Sequence, residues 1–196
     1  MKFTLDGQKI NTAEFNAVTL SELISNLETM VAPERVIISI SLDGENLDQK
    51  QEKAKASVPL ENLESLEIHT QYVDELARNT LLTLIDYLPG LIENVKECAS
   101  LLQGVDESRG HRNLGLVIDG LQMASAAWNG IAYFINIESK KPQELMPDMD
   151  DFYNILQSIV QAQETGDTVL LCDILEFKLV PTLESWLEDA AKLRDL

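Results

Sequence analysis

The sequence predicts an α+β protein, with a small β-containing domain over residues 1–70 and a helical bundle over 71–196. Three observations carry this. Alternating and β-branched runs crowd the first 70 residues. The apolar spacing changes to threes and fours from about Gln71. The chain is also 45% hydrophobic over 196 residues, enough to build a core without disulfides or metals.

The small domain opens with Lys2 to Leu5, where polar and apolar residues alternate, followed by the turn dipeptide Asp6-Gly7 and a second short strand at Lys9-Ile10. This is a hairpin pattern. Thr19 then offers an N-cap with Glu22 three residues on, a capping-box spacing. Leu20, Leu23, Ile24, Leu27 and Val31 share one helical face, and Pro33 closes that helix. Arg35 to Leu42 is rich in β-branched residues and ends at Asp43-Gly44, which predicts a strand and turn. Residues 45–57 are polar and lysine-rich and read as a loop. Leu66 to Thr70 alternates again and reads as the last strand.

The order β-β-α-β-loop-β resembles a ubiquitin-like β-grasp domain. The features that carry the likeness are the Met1–Leu5 strand, the Asp6-Gly7 turn, the Leu20–Val31 helix, the Val36–Leu42 strand with Asp43-Gly44, and the closing Ser65–Thr70 strand. It covers about a third of the chain. Ubiquitin-like modifiers and sulfur carriers end in a free Gly-Gly tail. Here Thr70 runs into a helix without one, so the resemblance does not imply carrier or conjugation chemistry.

The larger segment predicts about four helices. In the first, Leu81, Leu84, Ile85, Leu88, Leu91, Ile92 and Val95 keep helical spacing, and Pro89-Gly90 either kinks it or splits it. Gly104 to Gly110 reads as a loop. The second helix has Leu114, Val117, Ile118, Leu121, Trp128, Ile131 and Ile135 on its apolar face. Its many small residues (Gly115, Gly120, Ala124, Ala126, Ala127, Gly130) lower helix propensity, which the close approach of a neighbouring helix would offset. Lys140-Lys141-Pro142 and Pro147 fall in the next loop. A third helix spans about Asp148 to Gln163, and a last one about Thr168 to Leu193 with Pro181 inside. The first and last helices share the order apolar pair, acid, aromatic, proline, which is either a duplicated hairpin or chance in a leucine-rich chain.

The charge balance narrows the function classes. There are 33 acidic and 15 basic residues, net −18, of which residues 1–70 hold 12 acids and 6 bases. Both parts are acidic, so nucleic acid and anionic membranes are disfavoured, and a basic protein partner would be steered in. No signal-peptide h-region follows Met1-Lys2, and no apolar run approaches membrane-spanning length, so a cytoplasmic location is expected. Cys98 and Cys172 form no C-x-x-C pair and read as reduced core residues.

Neither histidine makes a motif. His69 lies on a predicted strand. His111 lies in the polar stretch Asp106 to Arg112, where an acid-base pair with Asp106 or Glu107 competes with a solvated loop. Asp148, Asp150 and Asp151 lack EF-hand spacing and read as helix N-terminal acids. Phosphate-loop, nucleophile-elbow and zincin motifs are absent. The sequence thus predicts no catalytic residue, no metal and no cofactor. Trp128, Tyr133 and Phe134 cluster late in the second helix, either as bundle core or as a groove for a partner's amphipathic helix. Tyr133 falls about 140° round the helix from Trp128 and is the residue expected at the groove's edge. The expected function is a non-enzymatic protein-binding adaptor or a secretion- or flagellar-type chaperone. The alternative is a small-molecule-binding or hydrolytic site near His111.

Overall fold

The computed structural model describes residues 2–11, 15–32, 34–104, 107–138 and 146–195. The chain divides into two compact units, 1–76 and 77–196, and an α+β class describes it.

The first unit is a five-stranded mixed sheet with a helix on it. Its strands are β1 (Lys2–Leu5), β2 (Gln8–Lys9), β3 (Arg35–Leu42), β4 (Glu45–Asn46) and β5 (Ser65–Tyr72), in the order β2-β1-β5-β3-β4. β1 runs parallel to β5, and the other pairings are antiparallel. Asp6 and Asp43, each followed by a glycine, have positive φ, as the two hairpin turns require. Helix α1 (Leu20–Val31) starts in a complete capping box between Thr19 and Glu22, worth about 1 kcal/mol. It buries Leu20, Leu23, Ile24 and Leu27 against Phe3, Ile40, Leu66 and Ile68. Each such aliphatic side chain contributes about 1.5–3 kcal/mol when fully buried. This small mixed sheet is compatible with a β-grasp fold. Pro33, the expected helix stop, lies outside the described residues; the helix ends at the extended Ala32.

One corner of the sheet is tied by side chains. The Asp6 carboxylate accepts from the Thr70 amide (2.7 Å) and hydroxyl (2.8 Å), and from Arg35 Nη2 (2.9 Å). Arg35 also lies over the Tyr72 ring, 4.4 Å from its centroid. Burial pushes the Asp6 carboxyl up, but the Thr70 donors and the charge of Arg35 outweigh it and hold the group below its usual value.

Residues 45–57 are not the expected loop. They form β4 and then α2 (Gln49–Lys55), begun by a capping box between Asp48 and Gln51. The helix is polar almost all round, so no apolar period revealed it.

Among the described residues, the second unit shows four helical rods: α3 (Val73–Gln103, which begins in the first unit), α4 (Glu107–Glu138), α5 (Met149–Thr165), and a last rod made of α6 (Thr168–Ile174), a π-helical turn (Leu175–Leu179) and α7 (Val180–Arg194). α3 and α4 are antiparallel: Gly110 lies against Leu102, and Gly120 against Leu91 and Tyr87. The core joins Leu88, Leu91, Val95, Leu121, Ile159, Leu179 and Leu183, among others. Asp148 caps α5 through the amides of Asp150 and Asp151, and Gly166 ends it in the left-handed conformation.

The two prolines behave differently. Pro89 sits inside one unbroken α3, so the chain there is not split. Pro181 follows the π turn, where the Val180 amide reaches back to the Leu175 carbonyl. That wider turn accommodates a residue with no N–H and a ring that clashes with a normal ladder. The stretch expected as a loop from Gly104 to Gly110 is shorter than that, because α4 already begins at Glu107. The Lys140-Lys141-Pro142 segment lies outside the described residues.

Candidate protein-docking face

α4 has two faces of different character. Leu114, Val117, Leu121, Ala124, Trp128 and Ile131 recur at alternating spacings of three and four, and all are buried. Gly110 and Gly120 serve this inner side. A Cβ on Gly110 would lie 2.9 Å from the Leu102 backbone nitrogen, and one on Gly120 would lie 2.7 Å from Leu91 Cδ1. These two glycines let α3 and α4 approach closely.

The opposite face is centred about 160° away. It carries Arg112, Leu116, Asp119, Met123, Ala126, Gly130 and Tyr133, again at spacings of four and three. Leu116 is 66% exposed, Met123 65% and Tyr133 62%. From Gly120 to Ile137 the sequence has no charged residue at all, in a chain where 24% of residues are charged. About four would be expected in that span. An ordinary surface helix carries charge on its outer side. Gly115 and Gly130 also differ from the inner glycines, since a Cβ on either would meet nothing within 4 Å. Each lowers helix stability by about 1 kcal/mol relative to alanine, and no packing within the described residues calls for it.

The three aromatic residues singled out in the sequence are not brought together on a surface. Trp128 is 1% exposed and belongs to the core, its ring edge-to-face with Trp186 at 6.3 Å. It therefore leaves the list of partner contacts: its position in the 3-4 inner row turns it inward. Trp186 also packs on Phe152 at 4.7 Å. Tyr133 lies on the outer face. Phe134 is on the same helix, with its side chain outside the described part. Sequence reasoning missed Leu116 and Met123, which break the inner period. The signal that could have found Met123 is the charge-free run itself, which begins at Gly120 and does not include Leu116.

His111 is exposed in the first turns of α4; Asp106 and the side chain of Glu107, its expected partners, lie outside the described residues. Neighbouring Arg109 pairs with Glu97 at 3.6 Å, both well exposed, a contact worth little in water. His69 pairs with Glu67 at 3.2 Å on the surface of β5. Among the described residues, no three His, Cys, Asp or Glu side chains are grouped to hold a metal. Burial pushes the Cys98 thiol up to about 11, with Cys172 and Glu97 adding to it. Burial also raises Cys172, helped by Glu176 and opposed by Gln103. Both thiols point at backbone carbonyls, Gly110 and Ala99, at 3.6 Å. They are packed, protonated groups rather than nucleophiles. No helix among the described residues is long and apolar enough to cross a membrane.

No curated protein and no solved structure matches the chain. Residues 1–71 match the family of the TP0873 N-terminal domain. Residues 79–189 match a domain of unknown function, DUF8042. That second match covers the bundle, including all of the outer row of α4, and spans more than half of the 196 residues. The chain belongs to the DUF8042 family.

Proposed function

We propose that this protein is a non-enzymatic binding protein, an adaptor or chaperone of the secretion or flagellar type, which holds a protein partner on the outer face of α4. The observation that carries this reading is the exposure of Leu116, Met123 and Tyr133 on one face of α4, with no charged residue from Gly120 to Ile137 in a chain of net charge −18. Covering large exposed apolar side chains lowers the free energy of the system. Leu116 and Met123 provide the anchor, with Tyr133 at the edge. The first unit fits the same role as a ubiquitin-like recognition module, an analogy at the level of fold. The acidic remainder steers basic proteins toward the molecule and disfavours nucleic acid and anionic membranes. A cytoplasmic location suits two buried, reduced cysteines.

The test is affinity capture from the native cell with the full chain and with Met123→Glu. Met123 is solvent-exposed, so the variant should keep its helical circular dichroism. We expect the captured proteins to be lost by at least about tenfold, the effect of a misplaced interface charge. Equal capture by the two chains would remove α4 as the docking face. A turnover that depends on His111 would overturn the non-enzymatic reading.

A further inference from the structure

We infer that the outward side of the last rod, around Phe177, docks a short basic amphipathic helix of a partner protein. This site is read on a different rod from the α4 face and stands independently of it.

The apolar anchors are set by exposure. Val169 and Phe177 are the two most exposed large apolar side chains among the described residues, at 75% and 70%, and Leu170 is exposed beside them. The local fold turns them outward. In α6, Leu171, Cys172 and Ile174 take the core positions, which leaves Val169 and Leu170 on the solvent side of the first turn. In the π-helical turn Leu175 and Leu179 are both buried, and Phe177, midway between them, faces water. Val169 and Phe177 are eight residues apart in sequence, about 12 Å along the rod. Two apolar residues one heptad apart on a partner helix are separated by about 10.5 Å, which matches that distance.

Charge names the occupant. Residues 146–191 hold 10 acids and one base, Lys178, net −9, which is half of the chain's −18 in under a quarter of its length. At the far end of the rod these acids are neutralised. Glu184 lies 3.6 Å from Lys96, and Glu188 and Asp189 lie 4.0 and 3.1 Å from Lys192. Around the apolar patch they are not. Among the described residues, none of Glu164, Asp167, Asp173 and Glu176 has an ion-pair partner. Asp167 accepts from the Leu170 amide and Glu176 from the Gln103 side chain, neither of which carries charge. Asp173 stands between the two anchors, four residues from each. A lysine or arginine beside the apolar residues of a partner helix would meet an uncompensated carboxylate at Asp173 or Glu176. A second copy of this chain would bring acids to acids, and nucleic acid would bring phosphate to them, so the same charge disfavours both.

The test uses the full chain and a synthetic helix of about 14 residues, with leucine on one face and lysine on the other. Fluorescence anisotropy follows its binding, and amide NMR shifts map it. The shifts should centre on Val169, Leu170, Asp173 and Phe177. Phe177→Glu should weaken binding by about tenfold. The sign is diagnostic, because attraction by charge alone would grow when an acid is added. Phe177 is exposed, so the variant should keep its circular dichroism. Asp173→Asn should weaken binding by about threefold, and raising salt from about 50 to about 500 mM by about tenfold. Met123→Glu should bind the peptide as the parent chain does. Binding that is unchanged or tighter in Phe177→Glu would overturn the inference. So would equal binding of the same peptide with glutamate in place of lysine, or no binding of the lysine peptide up to about 1 mM. Self-association of the chain that Phe177→Glu abolishes would make a second copy the occupant and overturn it too. Shifts centred on Leu116, Met123 and Tyr133 would overturn this inference and leave the proposed function standing. Equal capture from the native cell by Met123→Glu would remove the α4 face and leave this site in place.

Discussion

Trp186→Ala should destabilise the helical unit by about 3–5 kcal/mol, the loss typical of truncating a buried tryptophan. The site leaves little room for a smaller loss. Trp186 is buried and touches Trp128 edge-to-face at 6.3 Å and Phe152 at 4.7 Å. Aromatic pairs of this kind add about 0.5–1.5 kcal/mol beyond their area. The three rings come from α4, α5 and α7, so no single helix can shift to fill the space. A domain of this size has about 5–15 kcal/mol of stability in all. Chemical denaturation followed by tryptophan fluorescence and circular dichroism measures the loss. A loss below 1 kcal/mol would mean that this cluster does not hold the three helices together.

The second large effect comes from a single methyl group. Gly110→Ala should destabilise the same unit by about 1–3 kcal/mol, even though alanine is the better helix former. The added Cβ would lie 2.8 Å from Leu102 Cγ and 2.9 Å from the Leu102 backbone nitrogen. A side chain can turn away, but a backbone atom inside α3 moves only if the helix does. The same shift would strain the contact between the Cys98 thiol and the Gly110 carbonyl. Thermal unfolding of Gly110→Ala beside Gly130→Ala gives the contrast: a lower midpoint for the first and a higher one for the second. If both rise, the close approach of α3 and α4 at Gly110 is wrong.

The sequence was most legible where one face is apolar and the other polar. Thr19, Glu22 and the Leu20–Leu27 stripe announced α1, and β3 announced itself through its β-branched run. Asp148 marked the start of α5. It was least legible where period and composition disagree with structure. α2 is a helix because Asp48 and Gln51 cap it, yet it has no apolar face to show a period. The start of α4 was hidden because Gly110 looks like loop punctuation, while its real role is to admit Leu102. α4 also shows why the docking face was read only in part. Its inner row is apolar and its outer row is apolar too, so periodicity alone could not separate core from surface. Trp128 was weighed for both, and its phase in the inner row decides for the core. Leu116 and Met123 fall outside the inner period, and the absence of charge from Gly120 onward becomes informative only once the structure shows that they face water.

The central claim is that the outer face of α4 is covered by protein when the molecule is at work. Peroxide oxidation of methionine reads this directly, because the conversion of thioether to sulfoxide depends on solvent access. Met123 is 65% exposed in the single chain, and Met30 on α1, at 54%, is an internal standard in the same sample. In dilute solution Met123 should oxidise at least as fast as Met30. In native cell extract, Met123 should become several-fold slower than Met30, as expected when an apolar side chain is buried at an interface. Oxidation of Met123 that keeps pace with Met30 under both conditions would contradict the account.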